Sequence, residues 1–354
     1  MNLSSISFGT GVSRKDVLFF TSQLAVMLDT GTSLTASLQA IADQCQNPRM
    51  RAVVESILAD VVGGRMLSSA LGRHPRVFSS VFVSMVRAGE LGGFLNQMLN
   101  RLHEFQKLKE ETRSKIVTAM AYPAVLTVMS IGVVLFMIMY VLPRLTKVFE
   151  GKEDILPVIT KVVLATSDVF VAWWPLIFGG LVAAIGGAVA WAHTPTGRRF
   201  FDRAKISLPL VGSVARLLYA SRLLRTLGVM LESGIPLLDG LEVTRGTVGN
   251  SQYVDFLDDA HEKVRQGKTL SDPFSRCPLF TPAVRQMVST GEATGTTGMV
   301  MLRMADYYED EMTARLKGLT ALLEPAIVVA MGGVVGFIAL ALFLPLFRLS
   351  RAVG

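Results

Sequence analysis

The sequence predicts an all-α membrane protein with two homologous cytoplasmic helical-bundle domains and three transmembrane helices. Three observations carry this: a long internal repeat, three apolar stretches of membrane-spanning length, and helical spacing of apolar residues with no competing strand alternation. The repeat is read directly. Leu24-Ala-Val-Met-Leu-Asp-Thr-Gly31 returns as Leu227-Gly-Val-Met-Leu-Glu-Ser-Gly234, 203 residues on. Gly64-Arg-Met-Leu-Ser68 returns as Gly267-Lys-Thr-Leu-Ser271 at the same offset. Gly89, Glu90 and Gly93 return as Gly291, Glu292 and Gly295, now 202 residues on. Tyr122-Pro123-Ala124 answers Glu324-Pro325-Ala326, and Pro143 answers Pro345, still at 202. A repeat this long, with nearly fixed spacing, predicts one fold used twice, each copy running into an apolar segment.

Taken in order, residues 1–14 are Ser/Gly-rich and read as a flexible N-terminus. The first domain, 15–117, is a series of helices joined by tight turns. Val17, Leu18, Leu24, Met27 and Leu28 form the apolar face of the first helix, which ends at Gly31. Thr32 or Ser33 caps the second, with Leu34, Leu38 and Ile41 inward. Asn47-Pro48 starts a third, ended by Gly63-Gly64. Ser68 caps a short fourth, and Ser79 or Ser80 opens a fifth, broken by Gly92-Gly93. The sixth begins at Phe94 and continues toward the membrane. The second domain, 194–318, repeats the plan, with helices centred on Leu223–Leu231, Leu237–Thr244, Val254–Val264, Leu270–Phe274, Pro282–Ser289 and Met299–Leu316. Pro236 replaces Ser33 at the first helical position.

The spans fall at 118–143, 168–193 and 319–347, each longer than the ~20 residues that cross a hydrocarbon core. Their interiors carry no charge, and Asp168, Glu324 and Arg348 sit at the edges. Trp173 and Trp191 bracket the second span, ~27 Å apart at helical rise, as an aromatic belt would place them. Tyr122 and Tyr140 do the same for the first; ordinary lipid-facing filler is the bland alternative. Net charge is +7, with Lys107, Lys109, Arg113 and Lys115 before the first span and Arg198, Arg199, Arg203 and Lys205 after the second. Both clusters fit cytoplasmic flanks. Two alike domains separated by two spans also fall on one side. The N-terminus and both domains are therefore cytoplasmic, 144–167 is a periplasmic loop, and 348–354 is a periplasmic tail.

Several chemistries are disfavoured. Gly267-Lys268-Thr269 resembles the end of a phosphate-binding loop, but Glu262 stands where the earlier glycine belongs. His74, His103, His193 and His261 are scattered without metal-ligand spacing. No nucleophile–base set is visible, so no catalytic residue, metal or cofactor is assigned. Nucleic-acid binding lacks a dense basic run with interleaved aromatics. A transporter lacks intramembrane charge. Cys45 and Cys277 lie in cytoplasmic domains at non-equivalent positions, which argues against a disulfide.

The polar positions that stand out are Glu90 and Glu292. Each falls near a helix C-terminus, where the helix dipole disfavours a carboxylate, so each needs a partner. A hydrogen bond or salt bridge to a neighbouring turn is the structural reading; a cation or another subunit is the functional one. Pro123 and Pro325 stand where the domains meet the spans and are placed to kink those helices, while Pro143 and Pro345 end them. Gly332 and Gly336 form a GxxxG pattern, which admits a close second helix or is simply tolerated in lipid.

These residues together resemble a known family. Leu28–Gly31 with Leu231–Gly234, Gly89, Glu90 and Gly93 with Gly291, Glu292 and Gly295, and Pro123 with Pro325 are similar to the inner-membrane platform protein of type II secretion systems and type IV pilus machines, the GspF/PilC family. The likeness covers nearly the whole chain from Lys15. It implies a non-enzymatic protein of the bacterial inner membrane. Its partners would be a hexameric assembly ATPase, pilins or pseudopilins, other inner-membrane assembly proteins, membrane lipid and further copies of itself. ATP-driven motion would turn the platform and lift subunits from the bilayer into the filament. Only some 14 residues precede the first repeat, which resembles the shorter platform proteins of type IVb and conjugative pili. A multi-pass adaptor for one cytoplasmic protein is the competing reading.

Overall fold

The computed structural model describes residues 11–141, 144, 158–208 and 211–353, with no strand among them. The helices are α1 (Arg14–Asp29), α2 (Leu34–Gln44), α3 (Pro48–Val62), α4 (Leu67–Gly72), α5 (Ser80–Gly92), α6 (Leu95–Phe136), α7 (Val158–Ala192), α8 (Pro195–Ser207), α9 (Val211–Glu232), α10 (Leu237–Val248), α11 (Ser251–Arg265), α12 (Ser271–Arg276), α13 (Pro282–Ala293) and α14 (Thr297–Val353). A π-helical turn, Met137–Val141, extends α6. The repeat is now explicit: α1–α6 return as α9–α14, and α7 and α8 have no counterpart.

The chain divides into two compact units. One is Met1–Ser114 with Asp202–Met312, and the other Lys115–Phe201 with Thr313–Gly354. In the first unit, side-chain caps set the helix starts. Ser13 and Asp16 form a capping box: the Ser13 Oγ accepts from the Asp16 N–H, and the Asp16 Oδ2 accepts from the Ser13 N–H at 2.8 Å. The same Asp16 oxygen accepts from Asn47 Nδ2 at 2.7 Å, tying the start of α1 to that of α3. Asn47 caps α3, with Pro48 at its first turn. Ser33 caps α2 and Ser79 caps α5. The α1 and α9 helices stop before Gly31 (φ 82°) and Gly234 (φ 74°), left-handed positions that cost glycine little.

Each repeat fills its core differently at matching positions. In the first, Phe78 packs with tilted rings on Phe20 at 5.5 Å and on Phe82 at 4.8 Å. In the second, Phe280 holds the place of Phe78 and packs on Phe274 at 4.7 Å and Phe256 at 5.1 Å. Buried Tyr253 satisfies its hydroxyl by donating to the Arg216 carbonyl at 3.0 Å. Both cysteines are buried and unpaired.

In the second unit, α6, α7 and α14 contain segments long and apolar enough to cross a membrane. Their large side chains are exposed along the length, including Val128, Phe178, Val329 and Phe337. So extended an apolar surface fits lipid, not water. Within this unit Tyr122 Oη donates to Glu324 Oε1 at 2.9 Å, and Thr160 Oγ1 donates to the Ala341 carbonyl at 2.6 Å. Tyr122 and Glu324 are equivalent positions of the repeat, so α6 and α14 meet there like to like.

Several local expectations are corrected. Pro345 does not end the third long helix, because α14 runs on to Val353. Pro123 lies inside α6, where a proline between domain and span was expected, with the Thr127 hydroxyl donating to its carbonyl at 2.7 Å. A proline removes one N–H, and an apolar helix has strong reason to keep the remaining bonds. Pro143 lies outside the described residues. The α7 helix begins at Val158, inside the segment read as a loop. Pro236 is the N-cap of α10, not its first helical residue, and supplies no side-chain bond. Ser68 does not cap α4, whose N-cap is Met66. The α8 helix was not foreseen. It turns from α7 at Thr194, whose Oγ1 accepts from the Gly197 N–H at 3.1 Å, with Trp191 packed on Phe200 and Phe201. Its buried Asp202 accepts from the Ser251 N–H at 3.1 Å and so holds the start of α11.

Candidate functional site

The Gly-Glu-x-x-Gly turn is a small machine for joining three helices, built twice. Met66 gives α4 no side-chain cap, so the first N–H groups need another acceptor. Glu90, reaching across from α5, provides it. Its Oε1 accepts from the Leu67 N–H at 2.5 Å and its Oε2 from the Ser68 N–H at 2.9 Å. Glu292 on α13 does the same for α12, accepting from Leu270 at 2.6 Å and Ser271 at 2.8 Å. The charge sits at a helix N-terminus, where the dipole favours it. The glutamates that looked misplaced at the ends of α5 and α13 are thus the caps of α4 and α12.

The glycines around them set the crossing of the next helix. A Cβ on Gly89 would stand 2.8 Å from Met98 Cγ and 2.9 Å from Leu95 Cα. On Gly291 it would stand 3.0 Å from Val300 Cγ2 and 3.3 Å from Thr297 Cα. Gly93 (φ 74°) and Gly295 (φ 71°) then reverse the chain between α5 and α6, and between α13 and α14.

The two repeats pack on one another within the first unit. The α5 helix lies on α9 and α10. Met230 and Ile235 join the first repeat's core, with Val229 and Val243 against it. Arg101 Nη1 donates to the Glu232 carbonyl, at the C-terminus of α9. A partly buried ion cluster joins residues far apart in sequence: the Arg225 and Glu309 side chains are largely covered, and that of Asp306 is exposed. Arg225 on α9 holds Asp306 Oδ1 at 2.7 Å and Glu309 Oε1 at 3.0 Å, both on α14. Thr112 on α6 donates to Glu309 Oε2 at 3.3 Å. Desolvation works against the Arg225 charge, but the Glu309 and Asp306 carboxylates outweigh it and raise its pKa. This cluster and the Arg101 bond escaped the sequence reading, since their partners lie from 81 (Arg225 to Asp306) to 197 residues apart. At the start of α1 desolvation, then Arg222 and Arg14, push the Lys109 ammonium below its usual range.

In the second unit, a side chain added at Gly332 or Gly336 would meet no atom within 4 Å among the described residues. Pro325, like Pro123, sits within its helix.

This geometry can be set beside known proteins. A family described as "Type II secretion system (T2SS), protein F" matches the chain twice, over residues 20–143 and 223–345. The chain belongs to the type II secretion system protein F family. The two matched segments coincide with the two repeats, including both carboxylate caps, and leave α7 and α8 between them. Among curated members, the type IV pilus assembly protein PilC of Myxococcus xanthus is 36% identical, over 97% of this chain and 82% of that protein. Type II secretion system protein F of Vibrio cholerae is 34% identical, over 98% of this chain and 86% of that protein. PilC of Pseudomonas aeruginosa is 30% identical, over 99% of this chain and 94% of that protein. The family therefore joins pilus-assembly and secretion proteins, and its members are membrane platform proteins.

Proposed function

We propose that this protein is the inner-membrane platform of a filament-building machine. It couples a cytoplasmic assembly ATPase to the insertion of pilin or pseudopilin subunits, with the N-terminus and both helical domains in the cytoplasm. It carries out no catalysis of its own. The observation that carries the reading is the near full-length likeness to both PilC and protein F relatives.

The physical arrangement supports it. The α6 and α14 helices each continue from helical-domain sequence into an apolar span without a break, so axial or rotational force applied to the domain has a stiff path. In this reading the Gly89-Glu90 and Gly291-Glu292 turns keep α5 and α13 locked to those two helices. Pro123 and Pro325 mark where each leaves the domain. Gly332 and Gly336 form a smooth strip for a neighbouring span.

Deleting the gene, restoring it on a plasmid and scoring both surface pili and secreted proteins tests the reading and the filament class together. Loss of pili alone assigns a pilus, of which the type IVb class is the expectation. Loss of secretion alone assigns a type II system, and no change in either overturns the proposal. A flexible linker inserted after Lys115 abolishes assembly if α6 transmits force, and leaves it intact if it does not.

A further inference from the structure

The contact between the two repeats uses one face of each and leaves the other two faces open. On α5, the helix that lies on α9 and α10, Val81 and Met85 are 1% and 0% exposed. Their counterparts on α13 are Ala283, which is exposed, and Met287, which is 43% exposed. The receiving surface shows the reverse. Met230 and Ile235 are buried and Val229 is half-buried, whereas their counterparts are more open: Met27 is half-buried, Thr32 is exposed and Val26 is 55% exposed. A two-fold relation would have mated both pairs of faces. Only one pair is mated, so the contact is head-to-tail.

We propose that a second copy of this chain continues this contact, with α13 of one copy docked on the corner formed by α1 and α2 of the next. The two open faces complement each other because close copies of the same two faces are already joined once within the chain. The polar detail transfers as well. Arg101 donates to the carbonyl of Glu232, the last residue of α9. Its counterpart Arg303 is again an arginine and is exposed, and the counterpart of Glu232 is Asp29, the last residue of α1. Arg303 of one copy therefore caps the α1 carbonyls of the next, as a cation at a helix C-terminus should. Ser80 Oγ lies 3.8 Å from where a Cβ on Gly246 would stand, and this pair maps to Pro282 and Asp43. Threonine for Ile235 and alanine for Val81 reduce the apolar area, so the contact between copies is weaker than the internal one and reversible. A heterologous contact of this kind propagates, closing to a ring or running on, where a two-fold contact would stop at a dimer.

Cysteine cross-linking of the full-length protein in membranes tests this. With Cys45→Ala and Cys277→Ala as background, two differently tagged copies carry Asp43→Cys and Pro282→Cys respectively and are treated with a short bismaleimide. The expected product joins the two tags. Ser80→Cys with Gly246→Cys in one chain closes an intrachain link as the positive control. Adding Met287→Asp to the Pro282→Cys copy lowers the mixed product about tenfold, the effect of losing one buried apolar anchor. The absence of mixed product while the control closes overturns the proposal. So does a product made only of Asp43→Cys copies joined to each other, which would show a two-fold contact instead. Both readouts are independent of filament assembly.

Discussion

Replacing Glu90 by alanine removes both acceptors from the start of α4 at once. Leu67 and Ser68 are 0% and 1% exposed, so their N–H groups have no water to turn to. A buried donor left unpaired costs roughly 1–3 kcal/mol, so losing the acceptors of two puts the cost at about 2–6 kcal/mol for Glu90→Ala. Glutamine keeps one acceptor oxygen but turns an amide N–H toward the other donor, so Glu90→Gln costs about 1–2 kcal/mol. Hydrogen exchange at the Leu67 and Ser68 amides reads this locally. At about 1.4 kcal/mol per factor of ten, Glu90→Ala exchanges some thirty-fold faster or more, and the unfolding midpoint falls with it. Glu292→Ala acts in the same direction on Leu270 and Ser271, with the larger change at buried Leu270 and a smaller one at half-buried Ser271. If both alanine variants keep wild-type exchange rates at these amides, the carboxylate is not what holds the short helices, and the account of the turn fails.

Other consequences are open to the same purified protein. Gly89→Ala drives a methyl into Met98 and the Leu95 backbone and lowers stability by about 1–3 kcal/mol, more than Gly291→Ala, whose nearest obstacle is the Val300 side chain; thermal unfolding of the pair reads the difference. Arg225→Met takes the cation away from the Glu309 carboxylate, which is 19% exposed and keeps its Thr112 hydrogen bond, and costs about 2–3 kcal/mol, measured by denaturant unfolding of the variant against wild type. Desolvation works to raise the Asp16 carboxyl pKa, but hydrogen bonds from Ser13 and Asn47 outweigh it and hold it below 3.8. A depressed pKa means that its contribution is present above the ordinary carboxylate range and is lost as pH falls through the folded value. The stability gap between wild type and Asp16→Asn therefore shrinks on acidification below about pH 4, and a gap that is constant with pH refutes the role of the charge.

Much of the helical plan was legible because its signals are local. Asn47-Pro48, Ser33 and Ser79 each act on N–H groups two or three residues away, so their spacing alone reveals them. Gly31, Gly93 and their repeats mark turns for the same reason. The Ser68 cap was misread because the true cap arrives from Glu90, 22 positions later, and nothing near Ser68 announces it. Glu90 itself was legible as a residue in need of a partner, though not as the partner of α4. The α8 helix was hidden because Arg198, Arg199, Arg203 and Lys205 read as a charged membrane flank, and that charge masks the turn of apolar residues between them. Arg225, Asp306 and Glu309 were illegible for a deeper reason: charged residues on long helices look solvated until the tertiary packing brings them together.

The slip in the repeat offset from 203 to 202 has a physical address. Leu71 corresponds to Phe274 at the longer spacing and Phe78 to Phe280 at the shorter, so the missing residue lies in the connector between α4 and α5, or α12 and α13. Both ends of that connector are pinned in the core, while Pro75, Arg76 and Pro278 between them are exposed. The duplication has thus already carried out a length-variation experiment there and kept the fold. A short epitope or fluorophore acceptor placed between His74 and Arg76 inherits that tolerance. It would give a visible handle on a domain whose movements, if any, must be watched in a living cell.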